Sequence, residues 1–235
     1  MQATDTREVV SVLDVDPDLK ATVPRDELGL ARRHLVAEAF RISAGSWDGS
    51  AGGFGGVGLL VVEGLLTREL EIGAAVSLEL LGTGDVVRPW DVDPDPELSP
   101  LSASVTWAIR EPVRFAVLDR RFIAAFARWP ELGNELIRRV LRRSRWLAVR
   151  LAISSMQAVT DRITLLLWHI AGNWGRVTPD GTLVPVSLTH ELIAELIGAR
   201  RPSVTTAIGE LREAGVIERR PEGWLLKGPT PSPIG

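Results

Sequence analysis

The sequence predicts an α+β protein with short antiparallel strands first, one long helix in the middle and a small helical domain with a hairpin at the C-terminal end. Short apolar runs separated by glycine and other turn residues fill residues 46–118, a pattern typical of a small barrel or sandwich. Helical periodicity then runs from Glu131 to about Met156. Two short helices and further strand patterns follow. At 235 residues the chain is long enough for two ordinary domains.

Cysteine and histidine usage excludes several kinds of chemistry. The chain has no cysteine, which excludes disulfides, thiolate nucleophiles, thiolate zinc sites and cysteine-ligated iron–sulfur clusters. Its three histidines, His34, His169 and His190, are far apart in sequence. We therefore expect no metal site, no cofactor and no hydrolase set of nucleophile, base and acid. The prediction is that the chain is not an enzyme.

The distribution of charge and apolar residues bears on location. The N-terminus has no basic segment followed by an apolar run, and no uncharged apolar run reaches the ~18–20 residues that span a bilayer. We expect a cytoplasmic protein without membrane contact. The net charge of −3 combines −10 over residues 1–109 with +7 over residues 110–150. This asymmetry suggests different tasks for the two ends of the chain, although the arginines could simply solvate a long helix.

The N-terminal part contains two patterns. Residues 7–45 have helical spacing, with one apolar face formed by Leu28, Ala31, Leu35 and Ala39. Strand-like runs begin at about residue 46 and are interrupted by the proline-rich acidic loop 91–100. The run Gly53–Gly58 fits G-x-G-x-x-G, but it follows a loop and opens a strand. It therefore predicts a barrel turn and not a dinucleotide site.

The middle of the chain predicts a dimerisation helix. Residues 119–129 are helical, and Pro130 stands where a long helix can begin. Residues spaced by 3.5 positions form an imperfect heptad seam: Ile137, Val140, Ser144, Leu147 and Leu151, with Ser154 and Ala158 beyond them. Arginines flank this seam. The alternative is a single helix packed on its own domain.

The C-terminal part predicts a winged helix-turn-helix. A helix ended by Gly172 and Gly175 precedes a hairpin with an Asp180-Gly181 turn. A short helix then runs from the N-cap Thr189 to Gly198. The second helix begins near Pro202, and two strands follow it.

The second helix has the composition of a DNA-reading helix. Its buried stripe is Val204, Ile208 and Leu211, and small residues off that stripe would let it enter a major groove about 12 Å wide. We expect it to run from about Arg201 to Ala214. The residues expected to contact DNA, from both helices and the wing, are Arg200, Arg201, Ser203, Thr205, Thr206, Thr189, His190, Arg219 and Arg220. An ordinary helical hairpin with solvated arginines is the alternative.

The segment "LTHELIAELIGARRPSVTTAIGELREAGVIERRPEGWLL", residues 188–226, resembles the DNA-binding domain of the Crp/Fnr superfamily of bacterial transcription regulators. A weaker resemblance extends back to about residue 46. It implies a jelly-roll β-roll of cyclic-nucleotide-binding type, a long dimer helix and a winged domain. The domains implied are a sensor domain over 1–128, a dimerisation helix over 129–157, a DNA-binding domain over 158–228 and a disordered tail over 229–235.

The resemblance also implies roles for single residues. Arg201 matches an arginine that family members commonly direct at guanine. Pro202 and Thr206 stand where the cyclic-AMP-responsive members have a glutamate and a second arginine. We therefore expect a homodimer on a palindromic operator that differs from theirs, with RNA polymerase as a further candidate partner.

The sensor end departs from the family pattern. Family members that bind cyclic nucleotides use an arginine to pair with the phosphate, and here Leu101 stands in its place, followed by Ser102. Acidic residues of the 91–100 loop would repel a phosphate. The expectation is no response to cyclic nucleotides and an unknown effector, with candidate pocket residues Trp90, Leu101, Ser102 and Trp107.

Two alternatives remain beside a DNA-binding regulator without an effector. One is a protein-interaction module that keeps a vestigial winged domain. The other is a regulator that senses an unidentified small molecule.

Overall fold

The computed structural model describes residues 7–49, 56–73, 75–90 and 103–231. The chain divides into two compact units, residues 1–144 and 145–235, and the boundary falls inside the long helix. The acidic loop 91–100 and the end of the C-terminal tail lie outside the described residues.

The first unit is built on one antiparallel sheet. Within the described residues the sheet has seven strands in the order β1-β2-β7-β4-β5, with β3 paired to β7 and β6 paired to β4. The strands are β1 (Glu8–Ser11), β2 (Val36–Ile42), β3 (Gly45–Trp47), β4 (Gly58–Ile72), β5 (Ala75–Gly82), β6 (Val86–Val87) and β7 (Ser104–Leu118). The prediction of antiparallel strands between residues 46 and 118 is confirmed.

The two longest strands, β4 and β7, pair along almost their whole length. Their register shifts between Val61 and Leu66, which bends the sheet. Gly64 lies at this bend with φ +95°, and a Cβ there would stand 2.2 Å from the carbonyl oxygen of Pro112. Only glycine fits such a position, which explains an isolated glycine within a strand.

The predicted helical pattern over residues 7–45 is wrong at both ends, where residues 8–11 and 36–42 form strands, and holds only in between. The segment contains three short helices, α1 (Val12–Val15), α2 (Pro17–Ala21) and α3 (Leu28–His34), and then β2. β2 pairs with β1 on one side and with β7 on the other, for example Ala39 with Ala116. Pairing on both edges fixes the strand in spite of the helical spacing of its apolar residues, as is common for strands in the middle of a sheet.

Among the described residues of the first unit, two clusters of buried side chains form the core. One contains residues of the short helices and of α4 (Arg120–Phe126), with Leu13, Leu35 and Phe122 at its centre. The other contains the sheet residues Phe40, Trp47, Leu59, Trp107 and Phe115. The helix α5 (Pro130–Ser154) begins at the predicted proline and supplies Leu132 and Leu136 to the first cluster.

The second unit has the order of elements that the sequence predicts. Its elements are α6 (Val159–Trp174), β8 (Arg176–Thr178), β9 (Gly181–Val184), α7 (His190–Ile197), α8 (Arg201–Glu213), β10 (Ile217–Arg220) and β11 (Gly223–Leu226). The strands form a sheet in the order β10-β11-β9-β8. Gly172 was expected to help end α6, but it lies inside the helix, and Gly175 is the C-cap.

The helix pair α7–α8 is held by a cap, a turn and a buried stripe. Thr189 Oγ1 accepts a hydrogen bond from the Leu192 amide at 3.1 Å, as an N-cap does. Gly198 adopts the left-handed conformation, φ 63°, that ends α7. The predicted stripe of α8 is buried: Val204, Ile208 and Leu211. These contacts fix the angle at which α8 presents its opposite side.

Membrane-spanning helices and metal-binding clusters are both absent from the part of the chain that the structure describes. No helix there is both long and apolar enough to cross a membrane. The same residues contain no group of three or more histidine or acidic side chains able to hold a metal ion.

Candidate functional site

The N-terminal half of α8 presents a row of exposed side chains. Arg201, Ser203, Thr205 and Thr206 are all exposed, whereas Val204 between them is buried. The exposed residues are small except for the arginine, so the helix backbone can approach a large partner closely. This is the arrangement that a helix inserted into a DNA major groove requires.

A basic cleft of about 480 Å³ borders this helix. It is bounded by the start of α7, the side of α8 and the wing strands β10 and β11. Its charged lining consists of Arg201, Arg212, Arg219 and Glu191, and the remaining lining includes Thr189, His190 and Trp224. Three positive charges against one negative charge make the cleft attractive to an anion.

Four of the predicted DNA-contacting residues meet here. Thr189, His190, Arg201 and Arg219 line the cleft together, although they come from three separate elements. Thr205 is joined to them by a 3.1 Å hydrogen bond between its Oγ1 and His190 Nδ1.

His190 lies in an electropositive environment. Burial lowers its pKa below the usual 6.5, and the positive charges of Arg201, Arg219 and Arg212 lower it further. The imidazole is therefore neutral at pH 7. Its ring centroid lies 6.4 Å from that of Trp224.

The two wing arginines differ in their surroundings. The guanidinium carbon of Arg219 lies 4.9 Å from the ring centroid of Trp224, a cation–π distance. Trp224 is itself fixed, because its Nε1 donates to the Leu188 carbonyl at 3.2 Å. Arg220 instead pairs with Glu218 at 2.9 Å and lies 3.8 Å from Asp180. Arg219 is thus the better placed of the two to meet an external anion.

The other predicted residues have more local contacts. Arg200 is exposed and occupies the N-cap position of α8. Thr206 Oγ1 donates to the Pro202 carbonyl at 3.2 Å within the helix. Thr189 serves as the cap of α7 described above.

Sequence reasoning missed Arg212. It lines the cleft from the last turn of α8, eleven residues after Arg201. Eleven residues correspond to about three helical turns, so the two arginines share one side of α8. That spacing was visible in the sequence and could have identified it.

The first unit contains a larger, mainly apolar cavity of about 680 Å³. Its lining comes from the sheet and from α5. The polar part of the lining is three arginines, and the apolar part is Val57, Val86, Trp107, Leu136, Ile137, Val140 and Leu141. Of the candidate effector residues, Trp107 lines this cavity.

The remaining effector candidates are Trp90, which is not part of this lining, and two residues outside the described part of the chain. Trp90 packs against the sheet cluster, with the guanidinium carbon of Arg88 6.0 Å from its ring centroid. Leu101 and Ser102 lie outside the described residues. The indole Nε1 of Trp107 is buried and has no hydrogen-bond partner among the described residues.

The sequence suggested that the arginines of α5 could simply be solvated, but two of them are held by hydrogen bonds within the protein. The Arg139 guanidinium donates to both carboxylate oxygens of Asp16 at 2.6 and 2.8 Å, to Glu135 at 2.9 Å and to the Gly84 carbonyl at 2.9 Å. Arg143 donates to both carboxylate oxygens of Glu79 at 2.6 and 2.7 Å. Arg139 thus ties the first half of α5 to the junction of α1 and α2, and Arg143 ties it to strand β5.

A fourth acidic group, Asp85, lies close to Arg143 of this network. Asp85 lies in the turn between β5 and β6, where its Oδ2 accepts from the Gly82 amide at 2.9 Å. Burial raises its pKa to about 6, an effect only partly offset by the Gly82 hydrogen bond and the charge of Arg143.

The predicted seam of α5 is largely exposed. Ile137 is 60% exposed, Val140 63% and Leu151 72%, and Ser144 is exposed as well, whereas Leu147 is half-buried. Leu141 and Ala148, which the sequence pattern did not include, are also exposed. An apolar stripe of this length on a surface helix marks an interaction face.

Comparison with known proteins places the second unit in a family. Residues 161–228 match the family model described as the Crp-like helix-turn-helix domain. The regulatory protein CysR of Synechococcus elongatus is 29% identical over 163 residues, 68% of this chain and 69% of the relative. The CRP-like cAMP-activated global transcriptional regulator of Mycobacterium tuberculosis is 30% identical over 151 residues, 63% of this chain and 65% of the relative.

Residues 161–228 therefore carry a Crp-like helix-turn-helix domain, and the relatives found over a longer stretch of the chain are regulators of the Crp/Fnr type. Among solved structures, a cyclic nucleotide-binding domain containing protein from Listeria monocytogenes matches with a TM-score of 0.64 and 13% identity, over 91% of this chain and 97% of that one. This likeness supports the α+β fold with an N-terminal antiparallel sheet and a C-terminal helix-turn-helix. The matched family and the relatives are transcription regulators and not enzymes, which supports a DNA-binding regulator.

Proposed function

We propose that this regulator is a homodimer that binds a palindromic DNA operator sequence-specifically through α8, and that it acts in the cytoplasm. The proposed domains are a sensor domain over 1–128, a dimerisation helix over 129–157 and a winged DNA-binding domain over 158–228. The observation that carries the proposal is the exposed row on α8 beside a cleft that contains three arginines.

The proposed contacts follow from the exposure and pairing of each side chain. Arg201, in the first turn of α8, reads a base edge, for which guanine is the best match to a guanidinium. Ser203, Thr205 and Thr206 lie beside it in the groove, and Arg200 meets the backbone. Arg219 contacts a phosphate, whereas Arg220 contributes less because its charge is shared with Glu218.

The exposed stripe of α5 supports the homodimer. A palindromic operator needs two copies of α8 related by two-fold symmetry. Pairing of two α5 helices through Ile137, Leu141 and Leu151 would bury side chains that are otherwise in water.

A genomic selection tests the DNA-binding proposal. Purified regulator is incubated with sheared genomic DNA of its source organism, and the retained fragments are sequenced. The proposal predicts enrichment of an inverted repeat whose half-sites are about 10 base pairs apart, centre to centre. The Arg201→Ala variant, run in parallel, should lose that enrichment. Retention without any shared motif would contradict sequence-specific binding and favour the protein-interaction alternative.

The cavity supports a second proposal, that a small molecule regulates the protein. Its walls are mainly apolar, and it is large enough for a ligand of drug-like size. Of its three arginines, Arg143 is already engaged by Glu79, and Arg68 lies 3.7 Å from the same carboxylate. A cyclic phosphate would have to compete with that carboxylate, so we propose that cyclic nucleotides are not the effector.

Isothermal calorimetry distinguishes these possibilities. Cyclic AMP and cyclic GMP should give no heat of binding at micromolar protein concentration. Micromolar affinity for either would overturn the proposal, and the M. tuberculosis relative, described as cAMP-activated, is the natural positive control.

A further inference from the structure

The basic cleft of the winged domain combines features that a simple phosphate contact does not need. It contains a neutral histidine among three arginines, and that histidine is hydrogen-bonded to the helix that enters the groove. Only one carboxylate, that of Glu191, lies in the lining. The electrostatic balance of the cleft must therefore change when an anion enters it.

We propose that this cleft holds one phosphate group of the DNA backbone between Arg212, Arg219 and His190, and that His190 takes up a proton when the phosphate enters. The inference rests on the proposed DNA-binding function and adds to it a phosphate-binding residue, Arg212, and a proton linkage.

The geometry provides donors from three elements. Arg219 comes from the wing and is oriented by Trp224. Arg212 comes from the end of α8, and His190 from the first turn of α7. Because Thr205 occupies Nδ1 of His190, a ligand is met by Nε2. Arg201 lines the same cleft and keeps its proposed base contact.

The proton uptake follows from the charges that surround His190. In the free protein, burial disfavours a positive imidazole, as do Arg201 and Arg212 on α8 and Arg219 on β10. Glu191 on α7 is the one carboxylate in the lining of the cleft. A phosphate in the cleft adds a negative charge and accepts a hydrogen bond from a protonated Nε2. The pKa of His190 therefore rises on binding. Affinity for DNA must increase as the pH falls through the interval between the two pKa values.

The first test is a binding titration across pH. Anisotropy measures the affinity of the full-length protein for a mixed-sequence duplex of roughly 30 base pairs, from pH 5.5 to 7.5 at fixed ionic strength. The wild type should gain affinity as the pH falls, by up to about tenfold per pH unit for one linked proton. His190→Gln keeps a hydrogen-bonding group near Thr205 but cannot take up the proton. Its affinity should therefore lack the pH dependence that comes from His190. His34→Gln, on an exposed helix residue of the first unit, is the matched control and should keep it.

The second test observes the proton directly and needs no variant. The protein has three histidines, so ¹⁵N-histidine NMR resolves each ring. The titration midpoint of His190 should lie below its ordinary value in the free protein and move upward when the duplex is added, whereas His169 should not move. An unchanged His190 midpoint in the complex would overturn the inference.

Arg212→Gln tests the second new residue. It should weaken binding to every duplex by the same factor and lower the slope of log affinity against log salt by about one. A loss restricted to one sequence would contradict a phosphate role. If the wild type failed to bind DNA at every pH, the proposed function itself would fail. Binding by the wild type with a pH slope equal to that of His190→Gln would reject only the proton linkage.

Discussion

Replacement of Arg139 by methionine tests whether the buried ion network holds α5 against the junction of α1 and α2, where Asp16 lies. The Arg139 side chain is only 3% exposed, and it donates to the equally buried Asp16 and Glu135. Arg139→Met keeps a chain of similar length and removes the charge. The two carboxylates then remain buried without this partner.

The expected loss can be worked out from these contacts. Removal of one partner from a buried pair costs about 3–5 kcal/mol, because the remaining charge is left uncompensated. Glu135 also pairs with Arg138, so it keeps a cation nearby. The main uncompensated group is Asp16, which still caps α2 through the Leu19 amide. We therefore expect the lower end of the range, about 3 kcal/mol.

Urea unfolding, followed by tryptophan fluorescence and circular dichroism, measures the loss. Arg142→Met is the matched control, because it is the same substitution at an exposed position of the same helix, and it should change the free energy of unfolding by less than about 0.5 kcal/mol. In a double-mutant cycle with Asp16→Asn, the combined variant should lose less than the sum of the single losses. The reasoning would be refuted if the free energies of unfolding of Arg139→Met and Arg142→Met differed by less than about 1 kcal/mol. That margin is about twice the effect of a typical surface substitution.

Three further predictions concern separate parts of the molecule. Leu151→Glu should leave the chain folded, because the Leu151 side chain is exposed. In sedimentation it should shift the protein from a dimer toward the 25.6 kDa monomer. A wild type that is already monomeric would contradict the dimer. Asp85→Asn should stabilise the first unit at pH 7 by about 1–2 kcal/mol. The Asp85 carboxyl has a pKa of about 6 in the folded protein and 3.8 in the unfolded chain, so it favours folding below pH 3.8 and loses that contribution as the pH rises through about 6. The variant should therefore lack the loss of stability that the wild type shows between about pH 4 and 6. Unfolding curves of wild type and variant that stay parallel across this range would count against it. Thr189→Ala should destabilise the second unit by about 1 kcal/mol through loss of the α7 cap, whereas Thr182→Ala, in β9, provides the comparison.

Local signals were sufficient to predict the second unit. The Thr189 cap, the left-handed Gly198 and the stripe of α8 each depend on residues close together in sequence, and all three are present in the structure. The role of Trp224 was not predictable in the same way. It orients Arg219 and contacts His190 only because the wing folds back toward α7.

Long-range pairing explains where prediction from sequence failed in the first unit. Residues 36–42 have apolar spacing compatible with a helix, and only the partners β1 and β7 decide that they form a strand. Arg139 similarly looked like a flanking charge. Its partner Asp16 is 123 residues away, so no pattern within the helix could reveal the pair.

The central claim is that Arg201 reads sequence while Arg219 contacts the backbone, and one pair of salt titrations tests it most directly. Affinities of wild type, Arg201→Ala and Arg219→Ala are measured on the selected operator and on a scrambled duplex. In Arg201→Ala, the difference in binding free energy between the operator and the scrambled duplex should fall by about 1–3 kcal/mol. The preference for one base should also be lost at one position per half-site. Arg219→Ala should weaken both duplexes equally and lower the salt slope by about one. An equal loss of affinity for both duplexes in Arg201→Ala would contradict the account, and the source of specificity would then have to be Ser203, Thr205 and Thr206 or the shape of the DNA.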